Sequence, residues 1–307
     1  MSPDTMQAVR LHDYGGPEVL VAEQVPVPRP QSDQVLIRLV AAGVNPADAK
    51  MRAGYFKTFM PLLLPWIPGV EGAGIVEEVG ETVTAFRKGQ AVYGMMTGSY
   101  GEFAVALAAN LQLKPAYLTF EQAAAVSMGG LTAWQAIETA NLQPQQRVLI
   151  HGAAGGVGLF AVQFARLRGA EVIATASAKN VEFVRSLGAH EVMDYNAARF
   201  EAVVDKVDAV IDMVGGEVTE RSWQTLKPGG ILIYVVGRLT PEQQAPGLRA
   251  TSSGPAPIEK LKDINALLEA KRITPVVGDI FPLAEAHQAH ALIQTHHKPG
   301  RMILLTA

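Results

Sequence analysis

The sequence predicts an α/β protein of two domains, one a doubly wound parallel sheet covered by helices and the other β-rich and barrel-like. Three observations carry this expectation. The chain of 307 residues is long for one core and comfortable for two, because domains settle near about 100–200 residues each. From residue 147 onward, runs that are apolar nearly throughout alternate with helix-like stretches, as parallel strands buried on both faces require. Before residue 110 the pattern is one of short alternating or apolar runs punctuated by Gly and Pro.

The elements follow in order. Strands are expected at Gln34 to Ala41, Gly72 to Val79, Gln90 to Tyr93 and Glu102 to Ala106. Thr119 to Ala140 is Ala-rich with apolar residues at helical spacing, and Pro144 closes it. Arg147 to His151 then reads as a strand, Gly156 to Arg168 as a helix, Glu171 to Ala176 as a strand and Asn180 to Leu187 as a helix. Val207 to Met213 is a strand, Glu220 to Leu226 a helix and Gly230 to Val236 an apolar strand. Residues 238–257, rich in Pro, Gly, Gln and Ser, read as a loop or insertion, although Leu248 to Ser252 suits one more strand. An amphipathic helix at Ile258 to Ala270, a break at Pro275 and a short apolar strand at Arg301 to Leu305 complete the chain.

Composition narrows the function. A formal net charge of -3 leaves no basic footprint for nucleic acid and no polybasic stretch for an anionic membrane. No apolar run reaches the ~18–20 residues of a membrane helix, and the N-terminus lacks a signal-peptide core. The chain contains no Cys, so disulfides, thiolate zinc sites, iron–sulfur clusters and cysteine nucleophiles are excluded. A cytoplasmic location and small-molecule chemistry are the expectation.

The strongest signal is VLIHGAAGGVGLFAVQFARLRGAEVIATAS. An apolar strand ends at His151, a glycine-rich turn covers Gly152 to Gly158, a helix starts at once, and a second strand follows. In that context small residues let the backbone approach a pyrophosphate, and the helix N-terminus offers free N–H groups and the positive end of its dipole. Aligned on its last glycine, the motif is Ala153-x-Gly155-x-x-Gly158, with Ala in place of the first Gly and with Gly156 and Val157 between the other two. The second strand ends in Thr175-Ala176-Ser177-Ala178-Lys179, where NAD-specific domains usually place an acid on the ribose 2′-hydroxyl. A hydroxyl at Ser177 and an ammonium at Lys179 suit a 2′-phosphate, which a carboxylate would repel, so NADPH is the expected cofactor. A solvated Ser and Lys opening a helix would explain the residue types but not the missing acid.

Further blocks occur in order over essentially the whole chain: AAGVNPADAKMRAG, IPGVEGAGIVEEVG, GLTAWQA, HGAAGGVG, LGAHEVMDY and PLAEAHQAH with KPGRMIL. In these the sequence resembles the zinc-independent quinone oxidoreductases of the medium-chain dehydrogenase/reductase superfamily, a group that includes zeta-crystallin-like and enone reductase-like members. The resemblance implies a Rossmann domain at 123–274 and a GroES-like β-barrel catalytic domain at 1–122, completed by 275–307. In zinc-dependent relatives a cysteine ligand would fall at Asn45 and a histidine ligand at Val70, and neither residue suits zinc; no metal site is expected. Without a Lewis acid a simple alcohol is hard to oxidise, whereas a quinone or an α,β-unsaturated carbonyl accepts hydride unaided.

The same resemblance implies the remaining site residues. Asn45 matches an asparagine whose amide reaches cofactor or substrate, with a turn cap before Pro46 as the structural alternative. Thr132 matches a threonine packed against the nicotinamide, with a helical Thr bonding its own backbone as the alternative. Tyr195 matches a tyrosine stacked near the adenosine phosphate. Val214 and the pair Val236 and Gly237 follow parallel strands, at whose carboxyl ends such sheets bind ligands. Arg301 stands where the family usually has Lys and keeps its charge. Tyr55 matches a tyrosine at the mouth of the substrate site, able to hydrogen-bond a carbonyl oxygen, with a packed loop tyrosine equally open. His287, His290 and the pair His296 and His297 are read as surface or helix-packing residues.

The expectation is therefore NADPH-dependent hydride transfer to a quinone. Lys179 lies two residues after Ser177, a spacing closer to that of enone and alkenal reductases, which keeps C=C reduction open as the alternative. An NADPH-binding structural or regulatory protein is the non-enzyme alternative. A homodimer is expected from the family's habit of pairing through the edge of the Rossmann sheet.

Overall fold

In the computed structural model the described residues are 3–240, 244–293, 295 and 298–306. His296 and His297 lie outside them. They form two compact units: residues 1–128 with 261–270 and 275–307, and residues 129–260 with 271–274.

The first unit opens with the hairpin β1 (Thr5–Arg10) and β2 (Val21–Pro26). Next come β3 (Gln34–Val44), α1 (Pro46–Arg52), β4 (Glu71–Val79), β5 (Ala91–Met95), β6 (Phe103–Leu107), β7 (Leu111–Leu113) and α2 (Phe120–Ala124). Both faces of β3 are covered. Val35, Ile37 and Leu39 point into a core with Val76, Val92 and Leu111, while Leu36 packs on the other side with Met6, Val25 and Phe103. That two-residue alternation, apolar on both sides, is why the strand is long and nearly free of charge. The helix α3 (Ser127–Ala140) contains the boundary between the units.

The second unit is a six-stranded sheet with every pairing parallel. Along the chain it runs β8 (Arg147–His151), α4 (Gly158–Leu167), β9 (Glu171–Ala176), α5 (Val181–Ser186), β10 (Glu191–Asp194), α6 (Phe200–Val203), β11 (Val207–Asp212), α7 (Glu217–Ser222), β12 (Leu226–Tyr234) and β13 (Arg249–Ser252). The spatial order β10-β9-β8-β11-β12-β13 is the doubly wound Rossmann arrangement.

The chain then returns to the first unit through α8 (Lys260–Glu269), β14 (Val277–Pro282), α9 (Ala286–Leu292) and β15 (Arg301–Leu305). The strand β15 pairs antiparallel with β3, which extends the sheet of the first unit to the order β14-β15-β3-β4-β5-β7. The sequence assigns residues 261–270 to the second domain, but α8 sits with the first unit. Tyr93 donates to Asn265 Oδ1 at 2.9 Å and Tyr117 to the Leu268 carbonyl at 2.7 Å.

Two other expectations change. Within the stretch read as a loop, the alternative strand at Leu248 to Ser252 is the one formed: β13 is an edge strand whose residues Arg-Ala-Thr-Ser carry little apolar signal because one side of it meets solvent. The expected helix at Glu220 to Leu226 is shifted: α7 ends at Ser222, a short 3-10 turn follows, and β12 already starts at Leu226. A register shift between Val207 and Ala209 absorbs Lys227 to Gly230, which lets a strand pass through a Pro-Gly-Gly sequence.

Candidate active site

In the second unit the residues singled out from the sequence gather at the carboxyl edge of the sheet. The strand β8 ends at His151, and Gly152 takes φ +72°, so the left-handed residue of the turn is one position earlier than the Ala that replaces the motif's first glycine. Ala153 is buried there. Gly158 cannot carry a side chain, because a Cβ would stand 2.2 Å from the Gly152 carbonyl oxygen and 2.7 Å from Ala153 Cα. Gly155 is roomier; a Cβ there would meet only the Gly152 oxygen, at 3.4 Å. Among the described residues the N–H groups of Gly156 and Val157 have no backbone carbonyl partner. Tight packing beneath the turn and free donors above it are what a pyrophosphate needs.

Neighbouring loops close on this turn. A methyl placed on Gly152 would lie 3.5 Å from Val214 Cγ2, and one on Gly215 would lie 3.2 Å from Val236 Cγ2. The Val214 turn is held from below by Asp212, fully buried at the end of β11. Its carboxylate accepts from the N–H groups of Val214 at 2.8 Å and Gly215 at 3.0 Å and from the Thr219 hydroxyl. Gly237, also at positive φ, has open space around its Cα. On the other flank Tyr195 donates its N–H to the Ala176 carbonyl at 3.1 Å, which sets it beside Ser177. Ser177 precedes a 3-10 turn with Lys179 exposed on it, and the Tyr195 ring is exposed too. Val214, Val236, Gly237, the glycine turn, Ser177 and Tyr195 are thus brought to one edge. Thr132 is half-buried on α3.

The first unit holds a different arrangement. Asn45 caps α1, donating its N–H to Asp48 Oδ2 at 2.9 Å, and its side chain is 1% exposed. Its Nδ2 donates to Glu71 Oε1 at 3.0 Å, and its Oδ1 accepts from Arg301 at 2.7 Å. Glu71 is 0% exposed; its other oxygen accepts the Met128 N–H at 2.7 Å, and the Arg301 guanidinium lies 3.5 Å from the first. The direct pairing with cofactor or substrate expected of Asn45 therefore competes with partners its amide already holds, whereas Arg301 keeps Nε and Nη2 without a hydrogen-bond partner. Tyr100 links the cluster to α9, its hydroxyl 2.9 Å from His290 Nε2 and 3.4 Å from Asp48 Oδ2. Burial pushes the Asp48 carboxyl up to about 7, with Glu71 adding to the rise and the Asn45 N–H and Arg301 opposing it. Burial, helped by the Arg52 charge, drives His290 down to about 3, so it is a neutral helix-packing histidine. Tyr55, by contrast, is 74% exposed in the turn after α1.

Sequence reasoning missed Glu71, Asp212 and His151. Glu71 and Asp212 had a signal, a carboxylate at the end of a largely apolar strand run, which is tolerated in burial only with partners.

Zinc does not fit. Asn45 and Val70 stand at the expected ligand positions, the chain has no Cys, and no group of three or more His, Asp or Glu among the described residues could hold a metal. Among the described residues no helix is long and apolar enough to cross a membrane.

Residues 31–146 match the alcohol dehydrogenase GroES-like domain family, and residues 187–304 match the family described as zinc-binding dehydrogenase. A mouse quinone oxidoreductase is 37% identical over 325 residues, covering 98% of each chain. The chain belongs to the medium-chain dehydrogenase/reductase superfamily. It is an oxidoreductase with an NAD(P)-binding fold. An Arabidopsis thaliana NADPH-dependent alkenal/one oxidoreductase is 35% identical over 320 residues, 98% of this chain and 80% of that one. A solved mycobacterial member of this superfamily, complexed with NADPH, superposes with a TM-score of 0.88 at 30% identity, over 98% of this chain and 99% of the other.

Proposed function

We propose that the chain is an NADPH-dependent quinone reductase that works without a metal. One observation carries the cofactor choice: the second strand of the nucleotide sheet is followed by Ser177 and Lys179, with no carboxylate at the position expected to face the ribose. The quinone oxidoreductase name of the mouse relative supports the acceptor. When bound, the reduced nicotinamide supplies the hydride. The protein's share is placement and hydrogen bonding. The N–H groups of Gly156 and Val157 take the pyrophosphate, and Ser177 and Lys179 take the 2′-phosphate. Tyr195 lies along the adenosine, and Val214, Val236, Gly237 and Thr132 wall the nicotinamide. The exposed Tyr55 hydroxyl donates to the acceptor's carbonyl oxygen and steadies the negative charge that develops there. Asn45 and Arg301, cross-bonded with Glu71, hold the end of β3 and the start of α1 in place. With no metal donor set at Asn45 and Val70, the acceptor has to be electron-poor already.

Reduction of activated C=C bonds is the second reading, favoured by the two-residue spacing of Ser177 and Lys179 and by the alkenal/one relative. A cytoplasmic homodimer belongs to the same proposal, and light scattering on the purified chain tests the dimer.

The deciding experiment is steady-state kinetics with NADPH and NADH against a panel of quinones, short enones, alkenals and alcohols. Quinones are expected to give the highest kcat/KM with NADPH; a preference for enones selects the second reading, and turnover of alcohols on added zinc overturns the metal-free mechanism. Lys179→Ala should raise KM for NADPH about tenfold and leave that for NADH nearly unchanged. Equal changes for both nucleotides would refute the 2′-phosphate assignment.

A further inference from the structure

The central strand β8 ends in a buried imidazole that no step above uses. His151 is 1% exposed and directly precedes Gly152. Its Nδ1 lies 2.9 Å from Thr175 Oγ1 at the end of β9, and its Nε2 lies 3.1 Å from Ser222 Oγ in the last turn of α7. The Phe200 ring packs over it at 4.5 Å between centroids.

The direction of each bond follows from Ser222. That hydroxyl donates its single hydrogen to the Val218 carbonyl at 2.6 Å, so toward the ring it acts as acceptor. Nε2 therefore carries the hydrogen and donates to Ser222, and Nδ1 accepts from the Thr175 hydroxyl. Both ring nitrogens are satisfied in the neutral form. Burial, which pushes the imidazole down to about 4, keeps it neutral in ordinary buffers.

Three loops of the nucleotide edge meet through these bonds. Thr175 is two residues from Ser177, His151 opens the glycine turn, and α7 also supplies Thr219 to the Asp212 carboxylate beneath Val214. We propose that His151 is a positioning residue for nucleotide recognition, a buried strut that fixes Ser177 and its turn relative to the glycine turn and the Val214 turn. It touches no reacting atom. The inference rests on the nucleotide reading given above.

The test removes one arm at a time. Thr175→Val keeps the side-chain volume and deletes the Nδ1 arm; Ser222→Ala deletes the Nε2 arm. Each full-length variant is compared with wild type for Tm, and for kcat and KM with NADPH and NADH against phenanthrenequinone, well below its own Tm. Thr175→Val should move the ratio of kcat/KM for the two nucleotides about fivefold toward unity, the effect of one lost hydrogen bond. Ser222→Ala should raise both KM values by a similar factor and leave the ratio unchanged. His151→Gln, whose amide reaches toward Ser222 but not Thr175, should reproduce the Thr175→Val pattern and serves if that variant fails to fold. A lowered Tm with unchanged KM values and ratio in Thr175→Val and His151→Gln overturns the proposal and leaves His151 a packing residue. Failure of the NADPH reading shows separately, as a wild type that favours NADH. In that case the strut stands or falls on whether Thr175→Val shifts the ratio away from the wild-type value.

Discussion

The glycine turn of the second unit and the polar cluster of the first achieve order by opposite means. At the turn the working groups are main-chain N–H donors, and what matters is the absence of a Cβ at Gly158. In the cluster the ordering groups are side chains: Glu71, Asn45 and Arg301 are removed from water and bonded to one another, while Arg301 keeps Nε and Nη2 without a hydrogen-bond partner. A backbone site tolerates changes of charge nearby but no added volume. A buried ion pair tolerates small changes of volume but no loss of charge.

The largest expected effect tests the second half of that contrast. Glu71→Gln keeps the shape and leaves the Arg301 guanidinium buried without its counter-charge, which should destabilise the chain by about 3–5 kcal/mol. Urea unfolding measures it. A loss below about 1 kcal/mol would mean that water reaches the pair, as for an exposed ion pair. Pairing the substitution with Arg301→Met should recover much of the loss, because the orphaned charge goes with it.

Gly158→Val tests the first half. The Gly152 carbonyl, at 2.2 Å from the built Cβ, cannot move aside without opening the turn, so the turn itself must shift. A displacement of about 1 Å at a binding loop lowers kcat/KM roughly a hundredfold. Nucleotide titration followed by fluorescence should show the loss in binding, with circular dichroism unchanged if the sheet persists. Retained affinity would mean that the pyrophosphate does not sit on this turn.

The contrast also explains what the sequence could reveal. The strands Arg147 to His151, Glu171 to Ala176 and Arg301 to Leu305 were legible to the residue, because central strands covered on both faces must be apolar throughout. The edge strand β13 was legible only as an alternative, the strand at Leu248 to Ser252, since half of it faces solvent and its residues look like loop. The glycine turn was legible because its requirement is local: each small residue answers a clash a few positions away. The cluster around Asn45 was not, because its partners Glu71 and Arg301 are 26 and 256 residues distant, and no spacing rule joins them. The resemblance marked Asn45 and Arg301, but only the fold shows that they bind each other.

A smaller effect concerns protons. The folded chain holds a proton on Asp48 up to about pH 7, while an unfolded Asp releases it near 3.8. That group contributes stability that is complete below the ordinary carboxylate range and is lost as pH rises through about 7. His290 works the other way: lowered from 6.5 to about 3, it costs stability as pH falls below 6.5. Within the first unit the two nearly cancel between those limits. His151, lowered to about 4, adds one proton of the same sign as His290, so these three groups together make mild acidification cost stability at a slope near one proton. Asp48→Asn removes the compensating group and should raise that slope by about 1.4 kcal/mol per pH unit between about pH 5 and 6. An unchanged slope in urea unfolding would show that Asp48 is ionised in the folded chain.

The smallest effect is expected at Tyr55, and it separates binding from folding most cleanly. A side chain 74% exposed contributes little to stability, so Tyr55→Phe should leave Tm where it is. If its hydroxyl donates to the acceptor's carbonyl as charge builds there, its removal lowers kcat about fivefold, with KM for NADPH untouched. The effect should grow with acceptors that are harder to reduce, because these place more charge on oxygen at the transition state. A uniform loss across the acceptor panel, with KM for the acceptor rising and kcat constant, would make Tyr55 a binding surface and leave the developing charge to solvent.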